Sequence, residues 1–126
     1  MSDKVYQGTR DAQGWVVEVT TNGQPLHNYG SSDGFEWGYG GSGPHSLALS
    51  ILCDYFNVPP VGTYEDWNWR SVPAWAYYWS AFLADVVSQL SARQNFTLTS
   101  HEIEEWMARN RPHQEGEQHV LALIRS

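Results

Sequence analysis

Residues 34 to 44, GFEWGYGGSGP, set Gly38, Gly40 and Gly43 in the spacing G-x-G-x-x-G, with a further glycine at Gly41. Glycines so spaced let a backbone approach a pyrophosphate at the N-terminus of a helix. That chemistry requires a β-α-β unit, with a buried strand before the loop and a second parallel strand after the helix. Here the helical pattern is followed by NVPPVGTYEDWNW, which holds no buried-strand run; Glu65 and Asp66 fall near the distance of a ribose-binding acid, but on a loop. Pro44 also removes a donor where phosphate would be held. A Walker-type loop fails because no Lys followed by Ser or Thr succeeds the last glycine. The favoured reading is structural. Gly38, Gly40, Gly41 and Gly43 bend the chain and permit close approach, while Phe35, Trp37 and Tyr39 alternate into packing partners. Glu36 caps or hydrogen-bonds the loop, and Ser42 or Gly43 caps the helix that follows. A nucleotide- or small-molecule-binding protein using residues 38–43, enzymatic or not, is the alternative, and a thermal-shift screen with nucleotides separates the two.

Other residue types that could do chemistry fall away in turn. His101-Glu102 begins like a zincin motif, but position 105 is Glu, so the two-histidine helical face is missing. His113 and His119 have no Cys or His cluster beside them. Asp33 and Glu36 could form an acid/base pair only if their side chains converged in a perturbed environment. The serine-hydrolase pattern G-x-S-x-G would need residues 40–43 shifted by one position. Cys53 lies in an apolar helical run with no base beside it, and reads as a buried, inert thiol. Glu102, Glu104 and Glu105 read as a solvated helix start, where the dipole favours negative charge. No catalytic constellation, metal site or cofactor site is expected, and the chain is read as a non-enzyme.

The elements that would position these residues are legible from period and punctuation. VYQGTR (5–10) and WVVEVTT (15–21) read as an antiparallel hairpin around the turn DAQG at 11–14. Asn22-Gly23 signals another turn, after which QPLHNY (24–29) returns as a short strand that Pro25 confines to an edge. From Pro44 the period changes: Leu47, Ile51, Leu52 and Tyr55 share one face of an amphipathic helix that ends near Phe56, ahead of Pro59-Pro60. Residues 58–71 read as a loop. A second helix is expected from Pro73, with a core stripe of Trp75, Trp79, Phe82, Val86 and Leu90 widened by Leu83 and Val87. Thr99 and Glu102 make a capping-box spacing ahead of Ile103, Trp106 and Met107, which predicts a third helix ending before Pro112. HVLALI (119–124) reads as a closing strand, with helix left open by its length. The expected fold is α+β in one domain, 1–126: a small antiparallel sheet, the N-terminal hairpin plus a C-terminal strand, packed against about three helices.

Composition points to partners. Fourteen acidic against seven basic residues give a formal charge of −7. A nucleic-acid binder draws its affinity from neutralising phosphates, so direct nucleic-acid binding is not expected and a basic protein surface is. A single cysteine fits a reducing compartment, and no window approaches a membrane span, so a soluble cytoplasmic protein is expected. Seven Trp, seven Tyr and four Phe exceed what one small core needs. Many crowd into residues 64–79, where Tyr64, Trp67, Trp69, Tyr77 and Tyr78, with Glu65 and Asp66, make an aromatic patch with an acidic rim, the composition of a protein-binding surface.

VYQGTR, GFEWGYGGSGPHSLALSILCDYF, FLADVVSQL and TLTSHEIEEWM together resemble a family of small proteins of unknown function found in bacteriophages, plasmids and other mobile elements. The most specific part of the resemblance runs from Gly34 to Leu52, and residues 59–78 depart from the family's shorter connection. The resemblance implies a setting in a host bacterial cytoplasm and no established chemistry. Joined to charge and aromatic content, it gives the expectation of an accessory protein that binds and inhibits a host protein. The most concrete form is an anti-CRISPR-type inhibitor that contacts a basic surface of a Cas complex.

Overall fold

The structure is a computed structural model that describes residues 3–14, 17–57 and 74–110, with the side chains of 74–77 outside the description. Among the described residues the chain runs β1 (Val5–Arg10), β2 (Val17–Thr21), β3 (Gln24–Pro25), α1 (Ser42–Phe56), α2 (Ala74–Asp85), a 3₁₀ turn at Val87–Gln89, β4 (Phe96–Thr99) and α3 (Ser100–Arg109). The strands form one antiparallel sheet in the order β3-β2-β1-β4, and with the helices they make an α+β fold.

Strand alternation decides which residues face the core. In β1, Tyr6 and Gly8 are buried while Gln7 and Thr9 are exposed. The register sets Tyr6 opposite Thr21 and Leu98, and Gly8 opposite Val19 and Phe96, so one face collects Tyr6, Val19, Phe96 and Leu98 into the core. Both expected turns form. Gly14 closes the first at φ +78 by donating its N–H to Asp11 O, and Asn22 and Gly23 both take positive φ in the second, as a tight hairpin turn requires. Pro25 lies in the two-residue edge strand β3, where a missing N–H does no harm.

Helix α1 departs from the amphipathic helix expected of it. Apart from exposed His45, every residue from Gly43 to Cys53 is buried. The small side chains of Ser46 and Ser50, one turn apart, are buried too, because Ser46 Oγ accepts from Ser32 N (3.2 Å) and Ser50 Oγ from Tyr29 N (3.0 Å). The loop before the helix thus docks on the side that period alone would leave to solvent. The helix closes on Asn57, which adopts the left-handed conformation, as the position after a helix often does.

The second helix is shorter than its stripe predicts. It stops at Asp85, and Val86, Val87 and Leu90 follow in the 3₁₀ turn and its flanks, with Val87 fully buried. Ser88 Oγ donates to Ala84 O at 2.8 Å and Gln89 Nε2 reaches the same carbonyl at 3.4 Å, so side chains occupy the acceptor that a continuing helix would use. Strand β4 is the element that sequence reading missed. It spans four residues and runs straight into α3, so Thr99 is both its last residue and the helix cap. The capping box forms as expected, with Glu102 N donating to Thr99 Oγ1 (3.1 Å) and Thr99 N to Glu102 Oε1 (3.2 Å). The predicted closing strand at 119–124, the loop at 58–71 and the helix start at Pro73 lie outside the described residues. Among the described residues no helix is long and apolar enough to cross a membrane.

Candidate functional site

The glycine loop is held by its own protein. Trp37 is fully buried, its Nε1 donates to Gln94 O at 2.9 Å, and its ring meets Phe96 edge-on at 4.8 Å. Gly38 has φ +90 and backs onto the main chain of Ala92, where a side chain would collide. At Gly43 a Cβ would lie 2.8 Å from Glu36 Cβ, whereas at Gly40 it would meet nothing within 4 Å. Close chain approach therefore accounts for Gly38 and Gly43. Two expectations are corrected. Tyr39 does not alternate into the core but is 49% exposed, while Phe35 is half-buried. Neither Ser42 nor Gly43 caps α1: the cap is Gly41, with extended φ and no side-chain bond, and Ser42 is the first helical residue. His45 N–H, the donor three residues on that a Ser42 cap would use, bonds Gly41 O at 2.9 Å instead, and Pro44 has no N–H to offer in its place. Residues 35–37 before the loop are not a strand, so the described geometry gives a phosphate site no β-α-β frame.

Glu36 serves a charge instead. Period two puts Arg10 on the buried face of β1, and its side chain is 7% exposed. Nη2 bonds Glu36 Oε1 at 2.6 Å and Nη1 bonds Oε2 at 3.2 Å, with the guanidinium 4.1 Å from the centre of the Trp37 ring system. Glu36 is therefore bound to an arginine, and Asp33 lies exposed on the loop. Beside the pair, Arg10 and Arg93 line a polar cavity of about 450 Å³ at the β1–β2 turn, shared with Asp11 and Gly14. Cys53 is buried as expected; burial, and then the Asp54 carboxylate, push its thiol up to about 12. His101 pairs with Glu105 at 3.0 Å on the exposed side of α3, and no group of three or more ligating residues occurs among the described residues.

Three helices converge on a second cavity, of about 410 Å³, lined by Tyr55, Tyr78, Glu104, Met107 and Ala108. Tyr55 comes from the last turn of α1, Tyr78 from α2, and the rest from one side of α3, where i, i+3 and i+4 spacing aligns Glu104, Met107 and Ala108. Behind it runs an aromatic relay. Phe56 stacks on Tyr78 at 6.2 Å, and Trp106 stands edge-on to Tyr78 at 6.0 Å and to Phe82 at 5.3 Å. Burial raises the Tyr55 hydroxyl, and the charge and hydrogen bonding of Glu104 raise it further, so the phenol stays neutral. An aromatic concavity carrying a carboxylate can hold a cationic or amphipathic group.

Of the predicted partner-binding residues, Tyr78 lies in this cavity. Tyr77 lies in α2 with its side chain outside the description, and Tyr64, Glu65, Asp66, Trp67 and Trp69 lie outside the described residues. Tyr55, Glu104 and Met107 also line the cavity and were not among the residues singled out from the sequence. Tyr55 and Met107 read as core positions and Glu104 as a solvated helix start; the available signal was positional, with Tyr55 in the last turn of α1 and Glu104 and Met107 three apart on α3. No curated protein and no solved structure matches the chain. Residues 6–109 match the sequence model of a family described as of unknown function, DUF6166, and the chain belongs to that family.

Proposed function

We propose that this chain is a non-enzymatic accessory protein that acts by binding a basic surface of another protein. The observation that carries the reading is the cavity of Tyr55, Tyr78 and Glu104, which joins aromatic area to a carboxylate on a chain of net charge −7. Aromatic anchors supply contact energy at interfaces, and opposite charge speeds encounter with a cationic face. In its most specific form the reading is inhibition of a host protein by a product of a phage, plasmid or other mobile element, the target being a basic nucleic-acid groove or docking surface of a Cas complex. The support for that form is charge, aromatic content and the resemblance of residues 34–52. Tagged protein used as bait in bacterial lysate should retain a stoichiometric protein, in a manner weakened by salt. Glu104→Lys should abolish retention, and Trp67→Ala with Trp69→Ala should weaken it. In a purified assay the protein should compete with DNA for the Cas complex. Retention that ignores both salt and Glu104→Lys would sink the reading.

A further inference from the structure

We infer that the cavity between α1, α2 and α3 takes an arginine side chain of the partner protein. The inference rests on the partner-binding reading above and names the group that reading leaves open.

The charge of the occupant follows from the lining. Glu104 supplies a carboxylate, Tyr55 and Tyr78 supply aromatic surface, and none of the five lining residues is basic. An anion would meet repulsion from Glu104 and from the field of a chain carrying −7. A neutral apolar side chain would cover the carboxylate and leave its charge uncompensated, since the Tyr55 hydroxyl beside it is neutral. A cation answers both the carboxylate and the rings.

The shape of the occupant follows from the wall. A guanidinium is planar, weakly hydrated and able to stack on an aromatic ring while its N–H groups reach a carboxylate, whereas an ammonium is a compact and strongly hydrated point charge. Met107 and Ala108 offer apolar surface to the methylene stem of a long side chain. The neutral Tyr55 hydroxyl beside Glu104 provides a second oxygen that can accept from the same fork.

The test uses the whole chain and small probes, so it is independent of any partner. Amide resonances are followed by NMR while N-acetyl-arginine amide, N-acetyl-lysine amide or N-acetyl-citrulline amide, the neutral isostere of arginine, is added. The expected result is saturable shifts at Tyr55, Tyr78 and residues 104–108 with the arginine probe, weaker ones with lysine and none with citrulline. Glu104→Gln, at an exposed position that leaves the fold intact, should weaken the arginine response about two- to fivefold, the range of a solvent-facing ion pair. The inference is overturned if arginine leaves these resonances unmoved, or if citrulline moves them as far as arginine does. Arginine silence together with salt-sensitive partner retention removes this assignment alone; an arginine response without any retained partner removes the partner-binding reading alone.

Discussion

Arg10 and Glu36 form a two-point ion pair, with contacts of 2.6 and 3.2 Å, between a strand residue facing the core and the loop that precedes α1. The pair fixes where the glycine loop crosses the sheet, since Trp37, next to Glu36, lies against the same guanidinium. Removing one partner leaves the other charge poorly solvated. Glu36→Ala should cost about 2–3 kcal/mol, below the figure for a fully enclosed pair because Glu36 is 32% exposed. Arg10→Met with Glu36→Leu should cost less than the two single changes summed. Urea unfolding in a double-mutant cycle measures the difference.

Gly8 and Gly40 should respond in opposite ways to alanine. The rings of Phe96 and Trp37 occupy the space a Cβ would take at Gly8, and the overpacking should cost about 2–3 kcal/mol. Gly40 has open space and no positive φ, so Gly40→Ala should stay within about 0.5 kcal/mol. Chemical denaturation of both variants checks the contrast; a large loss at Gly40 would mean that the loop needs glycine for some other reason.

Stability should fall in alkali earlier than surface titration explains. Tyr6 is buried and donates to Asp54 Oδ2 at 2.7 Å; burial first, and then that hydrogen bond, hold its hydroxyl well above the usual 10.0. Cys53 is raised from 9.0 to about 12. Both groups are neutral when protonated and have raised folded-state values, so above the unfolded value the unfolded chain binds fewer protons and stability declines as pH rises. For Cys53 the loss should begin near pH 9 and run to about pH 12, with Tyr6 adding to it from about pH 10. Cys53→Val should remove the earlier part of the decline in urea midpoints measured against pH.

Thr99 joins β4 to α3, and its side chain holds the first turn of the helix. Thr99→Ala should cost about 1 kcal/mol, the usual worth of such a cap. Glu102→Ala added to it should cost little more, because the two residues bond each other. Equilibrium unfolding of the single and double variants reads this non-additivity. Full additivity would show that the reciprocal bonds do not act as a unit.

The hairpin, the Asn22-Gly23 turn, the edge position of Pro25 and the capping box were all legible because each is local: a φ preference, a missing N–H or a bond across three residues. Strand β4 was not, since Phe96 and Leu98 give an alternating signal only four residues long and the pairing that makes it a strand comes from β1, far away in the chain. Ser42 misled as a cap because the helix begins one residue earlier, with His45 N–H bonded to Gly41 O and no N–H at Pro44. Of the candidate cavity, Tyr78 was legible as an aromatic in excess of core needs; Tyr55, Glu104 and Met107 were not, because each sits on a different turn or helix and acquires its role only from the others.

By itself the sequence determined the α+β character, the acidity and the local chain reversals, since composition and short-range sterics act without regard to distant residues. Only the tertiary structure decided that Glu36 answers Arg10, that α1 is buried on its serine side as well, and that α2 yields to a 3₁₀ turn after Asp85. Those outcomes depend on which surfaces meet. Burial and charge pairing are settled by neighbours in space, and a linear pattern carries the demand for a partner without naming the residue that meets it.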